Sequence, residues 1–228
     1  MKTGGFQKLT LLDFPGEVAC IVFTSGCNFR CPFCHNSELL SGEAQIDTEE
    51  IFSYLKKRGG VLDGVVITGG EPLMQADIVD FIKEIRSMGY KIKLDTNGSY
   101  PDRLEELLEK GLLDYAAMDI KHTPENYFLA AGVGGEIIKN IEKSINLLKS
   151  CNITAEFRTT FVNGIHKTAD AKEISRFLST DRPYYIQSYT DSGSVLSPDG
   201  LSAFSREELD KMLDEARCFC PNSALRGL

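Results

Sequence analysis

No stretch of this 228-residue chain approaches the roughly 20 apolar residues that a membrane-spanning helix needs. Its start, Met1-Lys2-Thr3-Gly4-Gly5, lacks the shape of a signal peptide. There is no surplus of positive charge: 25 Lys and Arg face 33 Asp and Glu, for a net charge of -8 and a pI of about 5.0. That balance argues against nucleic acid as a bulk partner. It favours a soluble, cytoplasmic protein, with no membrane partner, that works on small molecules or on another protein. Internal repeats and low-complexity linkers are also missing. Without a secretory signal, the seven cysteines read as thiols or metal ligands rather than disulfides.

One further absence is more specific. Cys27, Cys31 and Cys34 form a C-x3-C-x2-C triplet just after the apolar run Val18–Thr24, and no fourth cysteine follows at a ligand spacing; the next is Cys151. Thiolates are soft ligands that select zinc, copper(I) or iron–sulfur clusters. Structural zinc sites close with four ligands, and His35, directly after Cys34, cannot easily turn back onto the same metal. A cubane cluster normally takes four cysteines. With three, one iron is left open to a ligand that is not protein. At this level both a zinc site and an iron–sulfur site stand.

What is present is an alternation of short apolar runs with longer amphipathic ones. Strands are expected at 18–24, 64–68, 91–95, 115–120, 153–160 and 184–189. Helices are expected after each. Asp47 is the N-cap of the first, with Glu50 as its capping-box partner. The others run over 77–88 with Gly89 behind it, from Pro101 through Leu108, around Ile137–Leu148, over 169–178, and over 206–217. The segment 122–135 reads as a loop. Near-continuous apolar strands separated by helices indicate an α/β fold with a parallel sheet. A full eight-fold barrel usually takes about 250 residues. Six units therefore predict a partial, open (β/α)6 TIM-type barrel: a single domain with an N-terminal lead-in (1–17), a core (18–217) and a C-terminal extension (218–228).

Active sites in such folds gather at the C-terminal ends of the strands. Here those ends carry the cysteine loop, then Gly69-Gly70-Glu71-Pro72, then Asp95-Thr96-Asn97-Gly98, then Asp119 and Lys121, then Glu156 and Arg158, then Gln187 and Tyr189. Each group alone has an ordinary structural explanation. Gly69-Gly70 and Asn97-Gly98 suit turns, and Asp119 and Lys121 suit one solvated strand face. Polar groups delivered by every strand to one rim are better explained by a site.

Together these residues resemble the radical S-adenosylmethionine enzymes. The marks are the triplet, with aromatic Phe33 just before Cys34, and Gly69-Gly70-Glu71-Pro72 in the second loop. The resemblance implies a [4Fe–4S] cluster on Cys27, Cys31 and Cys34, with S-adenosylmethionine chelating the fourth iron through its amino and carboxylate groups. It implies contacts to that cofactor from Phe33, Gly69, Gly70, Glu71, Asp95, Thr96, Asn97, Asp119, Lys121, Arg158 and Gln187. Lys121 or Arg158 would meet the methionyl carboxylate, Asp95, Thr96 or Asn97 the ribose, and the glycines would let the ligand approach without a Cβ in the way. Asp95, Thr96 and Asp119 also resemble a monovalent-cation site. Gly5 to Gly16 and Phe23 to Asn36, with Phe157-Arg158-Thr159-Thr160 and Ile186-Gln187, resemble the activating proteins of anaerobic ribonucleoside-triphosphate reductase. The implied activity is an anaerobic radical oxidoreductase that installs a glycyl radical on a large partner enzyme, supplied with electrons by a flavodoxin- or ferredoxin-type donor. Asp119-Ile120-Lys121-His122 equally resembles activators of pyruvate formate-lyase. A tailoring enzyme for a small molecule is a weaker alternative, and a non-catalytic zinc-binding module is the alternative of another class.

Cys20 reads as core and Cys151 as structural. Cys218 and Cys220, one residue apart, would face the same side if they lay on a strand. His122 and His166 read as solvated loop residues.

Overall fold

Among the described residues, eight strands follow one another in the sheet in the order in which they occur in the chain, with helices between most of them. The computed structural model describes residues 1–191 and 193–227. The fold is α/β with an open parallel-strand sheet, the class expected from the alternation of apolar runs. The chain divides into two compact units.

The first unit comprises Met1–Asn28, Glu38–Ala117 and Cys151–Thr154. It contains β1 (Thr3–Thr10), β2 (Ala19–Thr24), α1 (Thr48–Lys56), β3 (Gly64–Gly69), α2 (Ile78–Ser87), β4 (Lys91–Thr96), α3 (Pro101–Glu109) and most of β5 (Tyr115–Asp119). β2 and β3 pair in parallel, Cys20 opposite Val65 and Ile21 opposite Val66, and β4 continues the sheet beside β3. Cys20, Val22, Val65, Val66 and Ile67 are all fully buried, as expected of strands covered on both faces. α2 buries Ile78, Phe81, Ile82 and Ile85 from one stripe, each contributing about 1.5–3 kcal/mol of apolar burial. The Cys20 thiol is pushed up to about 12 by burial, against its own backbone hydrogen bond, and is an inert core group.

The structure adds a strand here. Residues 3–10 are not a mere lead-in but β1, antiparallel to β2, with breaks in register between Thr3 and Gly5 and between Gln7 and Thr10. Its side chains show no apolar alternation, because pairing with β2 rather than burial holds it. The Asp47 cap also differs in detail: its carboxylate accepts from Glu49 N at 3.0 Å.

The second unit comprises Phe29–Ser37, Met118–Ser150 and Ala155–Leu228. It contains α4 (Tyr127–Ala131), α5 (Ile138–Ser150), nearly all of β6 (Thr154–Phe161), α6 (Asp170–Leu178), β7 (Tyr184–Ser188), α7 (Arg206–Arg217) and β8 (Ser223–Arg226). β6, β7 and β8 pair in parallel. α7 has the bounds read from the sequence, and Ser205 and Glu208 close a capping box in front of it. α4 lies inside the segment read as a loop. β8 lies in the segment read as an extension; Arg226 reaches from it to the fully buried Glu156 on β6, with contacts of 2.7 and 3.0 Å, and stacks on Tyr185 at 3.4 Å.

Cys218 and Cys220 do not share a strand face. Cys218 caps α7 and is exposed, whereas Cys220 is buried in the following turn with its Sγ 3.4 Å from Ser175 O. The helix runs one residue too far for a strand to begin there. All seven cysteines are thiols. Among the described residues no helix is long and apolar enough to cross a membrane.

Candidate functional site

In the first unit the cysteine loop leaves β2 through Ser25 and Gly26. Gly26 N donates to Leu39 O at 2.6 Å, and Gly26 O accepts from Glu71 N at 2.9 Å. The loop and the Gly69-Gly70-Glu71-Pro72 turn are therefore joined by backbone. A Cβ on Gly70 would sit 2.1 Å from Gly26 O, and one on Gly69, at φ +110°, would sit 2.5 Å from Thr24 N. The room that two side chains would need is taken by the protein's own main chain, which is the first reason for these glycines.

Glu71 is fully buried. Its carboxylate accepts from Leu73 N at 3.0 Å, Thr96 Oγ1 at 2.8 Å and Asn97 N at 2.7 Å. It fastens the end of β3 to the end of β4. Asp95 is paired with the buried Lys93, whose ammonium also lies 5.7 Å from the Tyr115 ring centre. Asn97 is buried, with its amide held on both sides. Its Oδ1 accepts from Ser99 N at 2.9 Å and Ser99 Oγ at 2.5 Å, and its Nδ2 donates to Asn28 Oδ1 at 3.1 Å and approaches Cys27 Sγ at 3.9 Å.

In the second unit Cys31 and Cys34 lie on one turn, Cys34 N donating to Cys31 O at 3.1 Å. The turn is held from two sides: Arg30 N donates to Ala131 O at the end of α4, while Ser197 N and Leu196 N donate to Pro32 O and Cys34 O. Phe33 is buried, 6.2 Å from the His166 ring and 5.9 Å from Lys121 Nζ. Asp119 at the end of β5 accepts from Lys121 Nζ at 3.0 Å and Arg158 Nε at 2.9 Å. Burial disfavours charge on Asp119, but Arg158 and then Lys121 outweigh it and hold the carboxyl well below the usual carboxylate range. Burial likewise opposes the Lys121 charge, yet Asp119, with Cys31 adding to it, keeps that ammonium protonated well above the ordinary lysine range. Gln187 is half-buried on β7, in register with Thr160 and Arg226.

The two histidines are not solvated. His122 and His166 are buried and stacked, ring centres 4.6 Å apart. Thr123 N and Val162 N donate to their respective Nδ1 atoms at 2.7 and 3.1 Å, so each ring carries its proton on Nε2. That proton faces Ile165 O from His122, with Asp170 3.6 Å away, and Lys121 O from His166 at 2.8 Å. Burial is the main cause that lowers the His166 pKa to about 4, with the neighbouring His122 adding to it. The pair thus supports the main chain of Lys121 and the ring of Phe33. Nothing in the spacing of His122 and His166, 44 positions apart in the chain, signals that they meet. Asn28 and Ser99 also escaped notice, although both sit within or beside motifs that the sequence marks.

A family model described as the Radical SAM superfamily matches residues 21–178. The chain belongs to that family. A protein of Methanocaldococcus jannaschii, provisionally named as a glycyl-radical enzyme activating enzyme, is 35% identical over 190 residues, 81% of this chain and 78% of that protein. The pyruvate formate-lyase-activating enzyme of Clostridium pasteurianum is 31% identical over 130 residues, 53% of this chain and 52% of that one. Among solved structures, Streptococcus suis SuiB shares the fold, with a TM-score of 0.64 at 18% identity over 91% of this chain and 48% of that one.

Radical SAM membership implies a [4Fe–4S] cluster and S-adenosylmethionine. The donor set fits such a group. Three thiols stand within eight consecutive residues, an amide hydrogen of Asn97 is directed towards one of them, and the Lys121 ammonium would offset negative charge on another, Cys31, once it binds metal. The family match also displaces the zinc-module alternative.

Proposed function

We propose that this radical SAM protein is an activase: it reductively cleaves S-adenosylmethionine and takes a hydrogen atom from a glycine Cα of a large partner enzyme, anaerobic ribonucleoside-triphosphate reductase. The observation that carries this reading is the similarity, over 81% of the chain, to a protein named as a glycyl-radical enzyme activating enzyme. The choice of reductase rests on the resemblance of residues 5–16 and 23–36.

When bound, the cluster and S-adenosylmethionine supply one-electron cleavage of the C5′–S bond and a 5′-deoxyadenosyl radical. Cys27, Cys31 and Cys34 would hold the cluster, which would leave it open to S-adenosylmethionine. Lys121 and Arg158 bring positive charge to the methionyl carboxylate. Phe33 covers the cofactor beside Cys34. The backbone of Gly69 and Gly70 accepts the amino group, with Glu71 acting through the turn it braces. Asp95 and Thr96 face the ribose, and Gln187 closes the rim. The two carboxylates each have cationic partners, Lys93 for Asp95 and Lys121 with Arg158 for Asp119. A monovalent cation at Asp95, Thr96 and Asp119 would show as a sodium or potassium dependence of S-adenosylmethionine affinity. A flavodoxin- or ferredoxin-type protein supplies the electron.

The test is anaerobic reconstitution with iron and sulfide, followed by incubation with S-adenosylmethionine, reductant and candidate partners. The expected outcome is 5′-deoxyadenosine together with a glycyl-radical resonance on the reductase, both lost on replacing Cys27, Cys31 or Cys34 by Ala. A radical on pyruvate formate-lyase instead supports the second reading, which the Clostridium relative favours. No 5′-deoxyadenosine under any condition overturns both.

A further inference from the structure

Asn97, Ser99 and Asn28 form a closed ring of hydrogen bonds. Asn28 Nδ2 donates to Ser99 Oγ at 3.0 Å, Ser99 Oγ donates to Asn97 Oδ1 at 2.5 Å, and Asn97 Nδ2 donates to Asn28 Oδ1 at 3.1 Å. The ring has one sense only. Ser99 N also points at Asn97 Oδ1, at 2.9 Å, so that atom must be the oxygen and the amide cannot be flipped. The main chain of Asn97 is fixed as well, through its N–H to the buried Glu71 carboxylate at 2.7 Å.

The ring uses one of the two hydrogens on Asn97 Nδ2. The other has Cys27 Sγ as its neighbour, at 3.9 Å. A buried amide hydrogen seeks an acceptor, and a thiolate is a better one than a thiol. Hydrogen bonds to ligating sulfurs are among the levers that set the potential of an iron–sulfur cluster, because they stabilise the more electron-rich, reduced state.

We propose that Asn97 is a tuning residue for the cluster, donating to the Cys27 thiolate and raising the reduction potential, rather than a ribose contact. This rests on the radical SAM reading of Cys27. It deepens that reading by giving Asn97 one task and by making Ser99 and Asn28 the residues that aim it. The effect is of the order expected for one hydrogen bond to a charged acceptor: about tenfold in the reduced-to-oxidised ratio at fixed potential, or about 59 mV for a one-electron couple.

The experiment is an anaerobic redox titration of the reconstituted full chain, followed by electron paramagnetic resonance, with iron content and S-adenosylmethionine affinity measured on the same samples. Asn97→Ala is expected to shift the midpoint to more negative potential while iron content and affinity stay at wild-type levels. Ser99→Ala, which loosens the amide but keeps it, is expected to shift it less and in the same direction. An unchanged midpoint with weakened S-adenosylmethionine binding would overturn the proposal and return Asn97 to the ribose; an unchanged midpoint with unchanged binding overturns it too. Should Asn97→Ala fail to hold a cluster, the Ser99→Ala midpoint decides. A wild-type chain that takes up no iron overturns the proposed function itself, which sets that failure apart.

Discussion

Single residues in this protein are held by several partners at once, and that limits what each can do. His166 is an example. Its Nδ1 accepts from Val162 N and its Nε2 donates to Lys121 O, so a second proton would have to be placed on Nδ1 against an N–H donor. With a folded pKa of about 4 against 6.5 for the unfolded ring, the unfolded chain takes up the proton first as pH falls. The contribution of neutral His166 to stability is therefore complete above about pH 6.5, declines between about 6.5 and 4, and is lost below. Its steepest slope is about 1.4 kcal/mol per pH unit. His166→Gln keeps an amide that can donate to Lys121 O but cannot titrate. Urea midpoints at pH 7 and pH 5 are expected to differ less in the variant than in the wild type; equal differences would refute the assignment. The sequence made the cysteines stand out as candidate ligands because soft thiolates in a short loop have few other uses. It left the histidine pair and the Asn28–Ser99–Asn97 ring illegible, because those partners meet only through folding.

Elements show a similar division. β2 to β7 were readable within one or two residues, since buried parallel strands are written as unbroken apolar runs such as Val65-Val66-Ile67. β1 and β8 were not, because edge strands take their order from a neighbour rather than from an apolar face. α4 was missed for its length of five residues, too short for a helical period to show. β8 is fastened by Arg226 to Glu156 across β7. Truncating Arg226 removes both guanidinium hydrogen bonds from a fully buried carboxylate, which costs roughly 3 kcal/mol, the low end for a broken buried pair because Arg226 is itself one-third exposed. Replacing both partners by apolar residues is expected to cost much less. Thermal unfolding of Arg226→Met and of Glu156→Leu/Arg226→Met distinguishes the two; equal losses would mean that packing on Tyr185, not the ion pair, holds the strand.

At the scale of the whole molecule, the fold class and the family could be reached from the alternation of elements and two short motifs. The partner could not. Recognition of a protein partner is distributed over an exposed surface whose chemistry a single sequence does not order in space, whereas cofactor contacts are concentrated at strand ends. An open sheet also brings a hazard of its own. Its end strands are templates on which other chains can pair. Here one end is β1, with two breaks in register, and the other is β8, four residues long. Removing residues 223–228 would uncover the hydrogen-bonding edge of β7, with its apolar Tyr184 and Ile186. Light scattering of the truncated chain is expected to reveal aggregation at concentrations where the intact chain stays dispersed. The last short strand is thus expected to govern the colloidal behaviour of the protein: it would decide how concentrated a solution can become before chains begin to recruit one another.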